Sequence, residues 1–162
     1  MDVSAVISFL QSTLVPLLVF GALLLYTLVR GRRAITSLIL GLYFALLISL
    51  KFPYYQKIHD LLGGALSDTV ISMVVFAIFT AIFSLLMDRL LFYRIDEAAF
   101  AGFGKKILLA LFATILVLAY SYHVLPITNL IDPGLQAGFL FAPPEYFFWW
   151  LILPLIGLFF LY

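Results

Sequence analysis

Residues 21–52 read GALLLYTLVRGRRAITSLILGLYFALLISLKF. Two apolar runs without a charge are joined by Arg30-Gly31-Arg32-Arg33, and the second run is closed by Lys51. Crossing about 30 Å of hydrocarbon takes roughly 20 apolar residues at about 1.5 Å each. The first run, extended back toward the N-terminus, predicts a span over 6–29, and the second a span over 34–50. Three arginines at their junction are costly inside a bilayer and favourable at the cytoplasmic headgroups, so the junction reads as a tight cytoplasmic hairpin.

The rest of the chain has the same character. Of its 162 residues 65% are hydrophobic and only 10% charged, and its mean hydropathy is +1.21. A soluble domain carries about 25% charged residues, so this composition predicts an all-α, polytopic transmembrane helical bundle forming a single integral membrane domain over 1–162. Further spans are expected over 70–86 and 107–122, completing a four-helix core, with a fifth C-terminal membrane segment over 147–161. That last run contains Pro154 and follows the aromatic belt Tyr146-Phe147-Phe148-Trp149-Trp150; it reads as a full crossing, an oblique one, or a dip into the bilayer. Pro16 removes one backbone donor from the first span and predicts a modest kink. The opening Met1-Asp2-Val3 lacks a basic segment, and no cleavage pattern follows the first run, so that run is expected to be a permanent span.

Orientation follows from the basic residues. Three lie after the first span, four after the third (Arg89, Arg94, Lys105 and Lys106), two after the second (Lys51 and Lys57), and none after the fourth. Seven against two places the first and third loops in the cytoplasm. The N-terminus is then outside and, with five spans, the C-terminus inside. The segment from Met87 to Lys106 intersperses its charges with Leu90, Leu91, Phe92, Ile95 and Phe100, which suits an interfacial helix.

Ser37, Gly41, Ala45 and Ser49 recur every fourth residue in the second span. That spacing puts small side chains on one helix face, where another backbone can approach closely; the sharper alternative is a polar lining for a conducting path. Ala77, Thr80, Ala81 and Ser84 offer the third span a similar surface.

Chemistry is sparse. No Asp, Glu, Lys, Arg or His falls inside an apolar core, although such residues mark proton relays and ion-coupled transport. There is no cysteine, which removes disulfides, thiol catalysis and thiolate metal sites. No nucleophile elbow, HExxH, P-loop or dinucleotide fingerprint is present. Gly102-Phe103-Gly104-Lys105-Lys106 has the residues of a phosphate loop without its strand-turn-helix setting, and reads instead as an entry to a span with lysines at the anionic leaflet. His59 and His123, with Asp60 or Asp132, are the only groups that could form an external metal or catalytic cluster. No catalytic residue, cofactor or metal is expected. A net charge of +1 gives no reason to expect nucleic acid as a partner; the partners expected are the bilayer, other membrane proteins and further copies of the chain.

The quoted stretch resembles the opening of the colicin V production protein family, CvpA-like inner-membrane proteins. An apolar first helix is followed by the Arg30-Gly31 junction and a second helix rich in small and aliphatic residues. The third span, the charged segment after it and the glycine-bearing entry to the fourth extend the resemblance over 6–125. At that entry GFGKKILLALF carries Lys105 and Lys106 where the family has arginine, and Pro143 to Tyr162 is an addition to a four-helix core. The resemblance implies a non-enzymatic bacterial inner-membrane protein that supports toxin production or secretion, or envelope homeostasis, through protein contacts. It carries over no catalytic residue. A pore or transporter subunit, and a membrane enzyme acting on lipid, are the competing expectations.

Overall fold

A computed structural model describes residues 3–54, 57–58, 67–91, 102–123, 141 and 143–161. Four helices make up almost all of these: α1 (Val3–Ser49), α2 (Asp68–Leu91), α3 (Phe103–His123) and α4 (Pro144–Leu161). Each is long and apolar enough to cross a membrane. A helix that is apolar on every side must lie in a protein core or in lipid. Leu18, Leu25 and Val29 of α1, Leu85 of α2, and Trp149, Phe159 and Phe160 of α4 are all exposed, so it is lipid that this surface suits. The chain is a multi-pass membrane protein by this criterion.

The first two expected spans follow one another without an intervening loop: Val3–Ser49 is two helices meeting at a kink at Gly31, the one residue of the run outside helical geometry, at φ 84° and ψ 176°. The physical reason lies in the residue types: Arg30, Arg32 and Arg33 are good helix formers, and only glycine occupies that backbone region without a steric penalty. Pro16 lies inside the helix. Its backbone stays helical, because the missing donor costs one hydrogen bond and does not force an exit.

Local signals set the other ends. Ser67 caps α2, its Oγ accepting the Val70 amide at 3.4 Å. At α3 the Gly102 carbonyl accepts the amides of Lys105 and Lys106 at 2.8 and 3.2 Å, from a residue at φ 90°. That start brings both lysines into the first turns, four residues ahead of the expected 107. Pro144 opens α4 at the position where a missing amide costs nothing, and Glu145 in its first turn suits the helix dipole. α2 runs past the expected 86 to Leu91.

The chain divides into two compact units, Met1–Thr36 with Asp96–Tyr162, and Ser37–Ile95. In the second, the 37–49 part of α1 runs antiparallel to α2: Phe44 stacks on Phe83 at 5.7 Å, and Phe52 meets Phe79 edge-on at 5.3 Å. In the first, α3 and α4 run antiparallel. His123 at the end of α3 lies 4.5 Å from the Phe147 ring, while Lys105 near its start reaches Leu161 at the end of α4. α3 is the most enclosed helix, with Leu109, Ala110, Ala113, Leu116, Ala119 and Tyr120 fully buried.

Candidate functional site

Buried polarity in this molecule is mostly bound to its own backbone. Thr27, Thr36, Thr80 and Thr114 donate their hydroxyls to the carbonyls of Leu23, Arg32, Phe76 and Ala110, at 2.6 to 3.0 Å. Ser121 does the same to Val117 at 2.7 Å. Each bond returns a side chain to the carbonyl four residues back, the cheapest way to hide a hydroxyl in an apolar medium. Ser37 Oγ differs: it is buried without a hydrogen-bond partner among the described residues.

Of the four-residue stripe, Ser37, Gly41 and Ala45 are buried, and Ser49, half-buried, donates to Leu46 at 3.0 Å. Gly41 sits against α2 itself. A Cβ built there would come 2.8 Å from the Ser84 nitrogen and 3.0 Å from both the Ser84 Cα and the Thr80 carbonyl oxygen. Backbone meets backbone at this point, and no side chain can yield to make room.

A second convergence lies at one end of the first unit. Arg32 Nη2 donates to the Leu161 carbonyl at 3.2 Å, and Lys105 Nζ donates to the same oxygen at 3.4 Å. The cations come from the residue after the Gly31 break and from the first turn of α3; the acceptor is the last carbonyl of α4. Carbonyls of a final turn have no partner within their helix and carry the negative end of its dipole, so two cations there are electrostatically matched. Arg30 is exposed and Arg33 half-buried beside the break, and Lys106 is half-buried next to Lys105. Arg89 is exposed in the last turn of α2. Arg94 lies outside the described residues.

The opposite end of the α3–α4 pair is aromatic. His123 Nε2 is 2.7 Å from the Phe141 carbonyl oxygen; that oxygen only accepts, so Nε2 carries the proton and donates. The Phe141 ring contacts Tyr122 at 6.3 Å and Trp150 at 4.8 Å. Sequence reasoning placed His123 at a helix end and had no means of finding this partner, because a backbone carbonyl leaves no mark in residue types. The same holds for Leu161. His59, Asp60 and Asp132 lie outside the described residues, and among the described residues no three His, Cys, Asp or Glu side chains gather as a metal site. No family model, curated protein or solved structure matches the chain.

Proposed function

We propose that this chain is a non-enzymatic scaffold of the bacterial inner membrane that crosses it five times and acts through protein contacts. The observation carrying this reading is the placement of buried polarity: the threonine hydroxyls are committed to carbonyls of their own helices, while the closest helix approach, at Gly41, joins two backbones. Such an interior favours holding helices together over handling a solute or a proton.

The reading of five crossings is supported by α1. Its apolar part, Leu14–Ser49, has 36 residues. A straight helix of that length would reach about 54 Å, against about 30 Å of hydrocarbon. A break at Gly31, flanked by arginines that favour headgroups, supports reading the arms on either side as separate crossings. Meeting of Arg32, Lys105 and Leu161 at one end of the first unit is what five crossings require, with the first loop, the third loop and the C-terminal end of α4 on the cytoplasmic side. The resemblance to colicin V production proteins adds a role in toxin production or secretion, or in envelope homeostasis. Mild crosslinking in native membranes followed by purification tests the scaffold reading: specific membrane-protein partners are expected, and recovery of the chain alone, with secretion and envelope stress resistance unchanged on deletion, would sink it.

One observation favours a second reading, a pore or transporter subunit. Ser37 presents a buried hydroxyl without a hydrogen-bond partner among the described residues, on the small-residue face. That reading requires oligomers and solute flux in proteoliposomes; a monomeric preparation without flux removes it.

A further inference from the structure

We propose that Arg32 and Lys105 are positioning residues for α4: by donating to its last carbonyl they hold the C-terminal end of that helix on the cytoplasmic side, and so fix the direction of the final crossing. This rests on the five-crossing reading above. α4 has little of its own to decide where it ends. Residues 124–162 contain no Lys or Arg, so no cation of its own marks its end for the headgroups. Its 18 residues rise about 27 Å, slightly less than the roughly 30 Å of hydrocarbon, and its last turn therefore lies where water is scarce. Pro154 removes an amide donor from within the helix, and Pro154 and Leu158 are its buried residues. Most of its surface is thus as well placed against lipid as against protein. Such a segment can cross, or dip into the outer leaflet and return.

What the last turn needs is a donor. Its carbonyls have no partner within the helix, and leaving one unpaired at the edge of hydrocarbon is costly. The Leu161 oxygen has two lone pairs and accepts from two side chains, Arg32 Nη2 at 3.2 Å and Lys105 Nζ at 3.4 Å. One comes from the residue after the Gly31 break and the other from the first turn of α3, so both read as lying at the cytoplasmic headgroups. Long apolar stems let the two cations stay at that level while reaching the carbonyl. The bonds hold whatever else either cation touches. They also discriminate direction: this end of α4 carries the negative pole of its dipole, whereas the opposite end presents amides and a positive pole. There the first turn of α4 is met by an aromatic contact instead, His123 lying 4.5 Å from the Phe147 ring.

The test places a single cysteine at Phe160, about four-fifths accessible, in the full chain, which has no cysteine of its own. A membrane-impermeant maleimide is applied to spheroplasts before and after permeabilisation, and the ratio of outside-labelled to inside-labelled molecules is read. In the parent, labelling should require permeabilisation. Arg32→Gln with Lys105→Gln should raise the ratio roughly tenfold, from the usual contribution of two cations at a helix C-terminus. Arg32→Lys with Lys105→Arg, which keeps both charges, should retain the parent ratio. Arg30→Gln with Lys106→Gln, which removes the same charge from the same two loops, should also leave it unchanged. An unaltered ratio in the first pair overturns the proposal, and so does an equal rise in the Arg30 and Lys106 pair, which would assign the effect to loop charge as a whole. If the first pair does not accumulate in the membrane, Lys105→Gln alone, at an exposed side chain, carries the test with a roughly threefold rise; no rise in it refutes the proposal. A parent labelled mainly from outside removes the five-crossing reading and the proposal with it, whereas a protected parent with unresponsive variants removes the proposal alone.

Discussion

Gly41 and Gly21 are both glycines inside α1, and their surroundings make opposite demands. A methyl at 41 would enter the backbone of Thr80 and Ser84, whereas a methyl at 21 would meet nothing within 4 Å. Gly41→Ala is therefore expected to destabilise the chain by about 1–3 kcal/mol, the usual cost of overpacking. Gly21→Ala should be neutral or stabilising by about 0.5–1 kcal/mol, since alanine is the better helix former. Reversible unfolding in mixed micelles measures both; equal effects would show that the two helices do not meet at Gly41. The stripe containing Gly41 was legible from its spacing of four, because a helix repeats its faces at nearly that period. What spacing could not reveal was that the partner is α2 at Thr80 and Ser84, since several helices carry small residues and only three-dimensional packing selects among them.

At the scale of the element, the lengths and ends of helices were largely readable, and their joints were not. Apolar runs located α2, α3 and α4 to within a few residues, because hydrocarbon thickness fixes how long such a run must be. The Gly31 joint was read as a tight hairpin from its charge; two helices do meet there at a kink, with the arginines in helix and only the glycine departing. Its positive φ predicts that Gly31→Ala is strained by about 1–3 kcal/mol, which the chain can relieve by regularising α1. The absence of native cysteine allows spin labels at Leu17 and Leu47, both exposed, without further substitutions. A changed label-to-label distance in Gly31→Ala is expected; the same distance distribution as the parent would show that the break does not depend on glycine.

The pairing of α3 with α4 makes an independent prediction. A Cβ at Gly157 would overlap the ring of buried Phe112. Gly157→Ala should cost about 1–3 kcal/mol in the parent and markedly less in a Phe112→Leu background, where the ring is gone. Additive effects of the two substitutions would mean that these residues do not share a contact. No sequence pattern announced this pair, since a glycine facing an aromatic ring across two helices has no fixed spacing along a chain.

For the whole molecule, the arrangement that matters is the parity of crossings. Four crossings would return the chain to the side on which it began, and five leave its two ends on opposite sides. α1 decides between them, because among the described residues it alone is long enough to count once or twice. Charge argues for twice. A single crossing through Gly31 would carry Arg30, Arg32 and Arg33 toward the bilayer interior, where each cation costs about 2.5–3.5 kcal/mol on insertion scales, whereas a return at the break leaves all three among headgroups. Alkaline phosphatase, active only outside the cytoplasm, reports the difference when fused after selected residues. Fusions after Arg33 and after Leu161 are expected to be inactive, and a fusion after Lys57 active. Replacing Arg30, Arg32 and Arg33 with glutamine should weaken this pattern, because the bias that holds the first loop inside is then reduced to that of Lys105, Lys106, Arg89 and Arg94. An active fusion after Leu161 together with an inactive one after Lys57 would reverse the orientation, and matching activity at Arg33 and Lys57 would reduce α1 and the segment after it to one crossing.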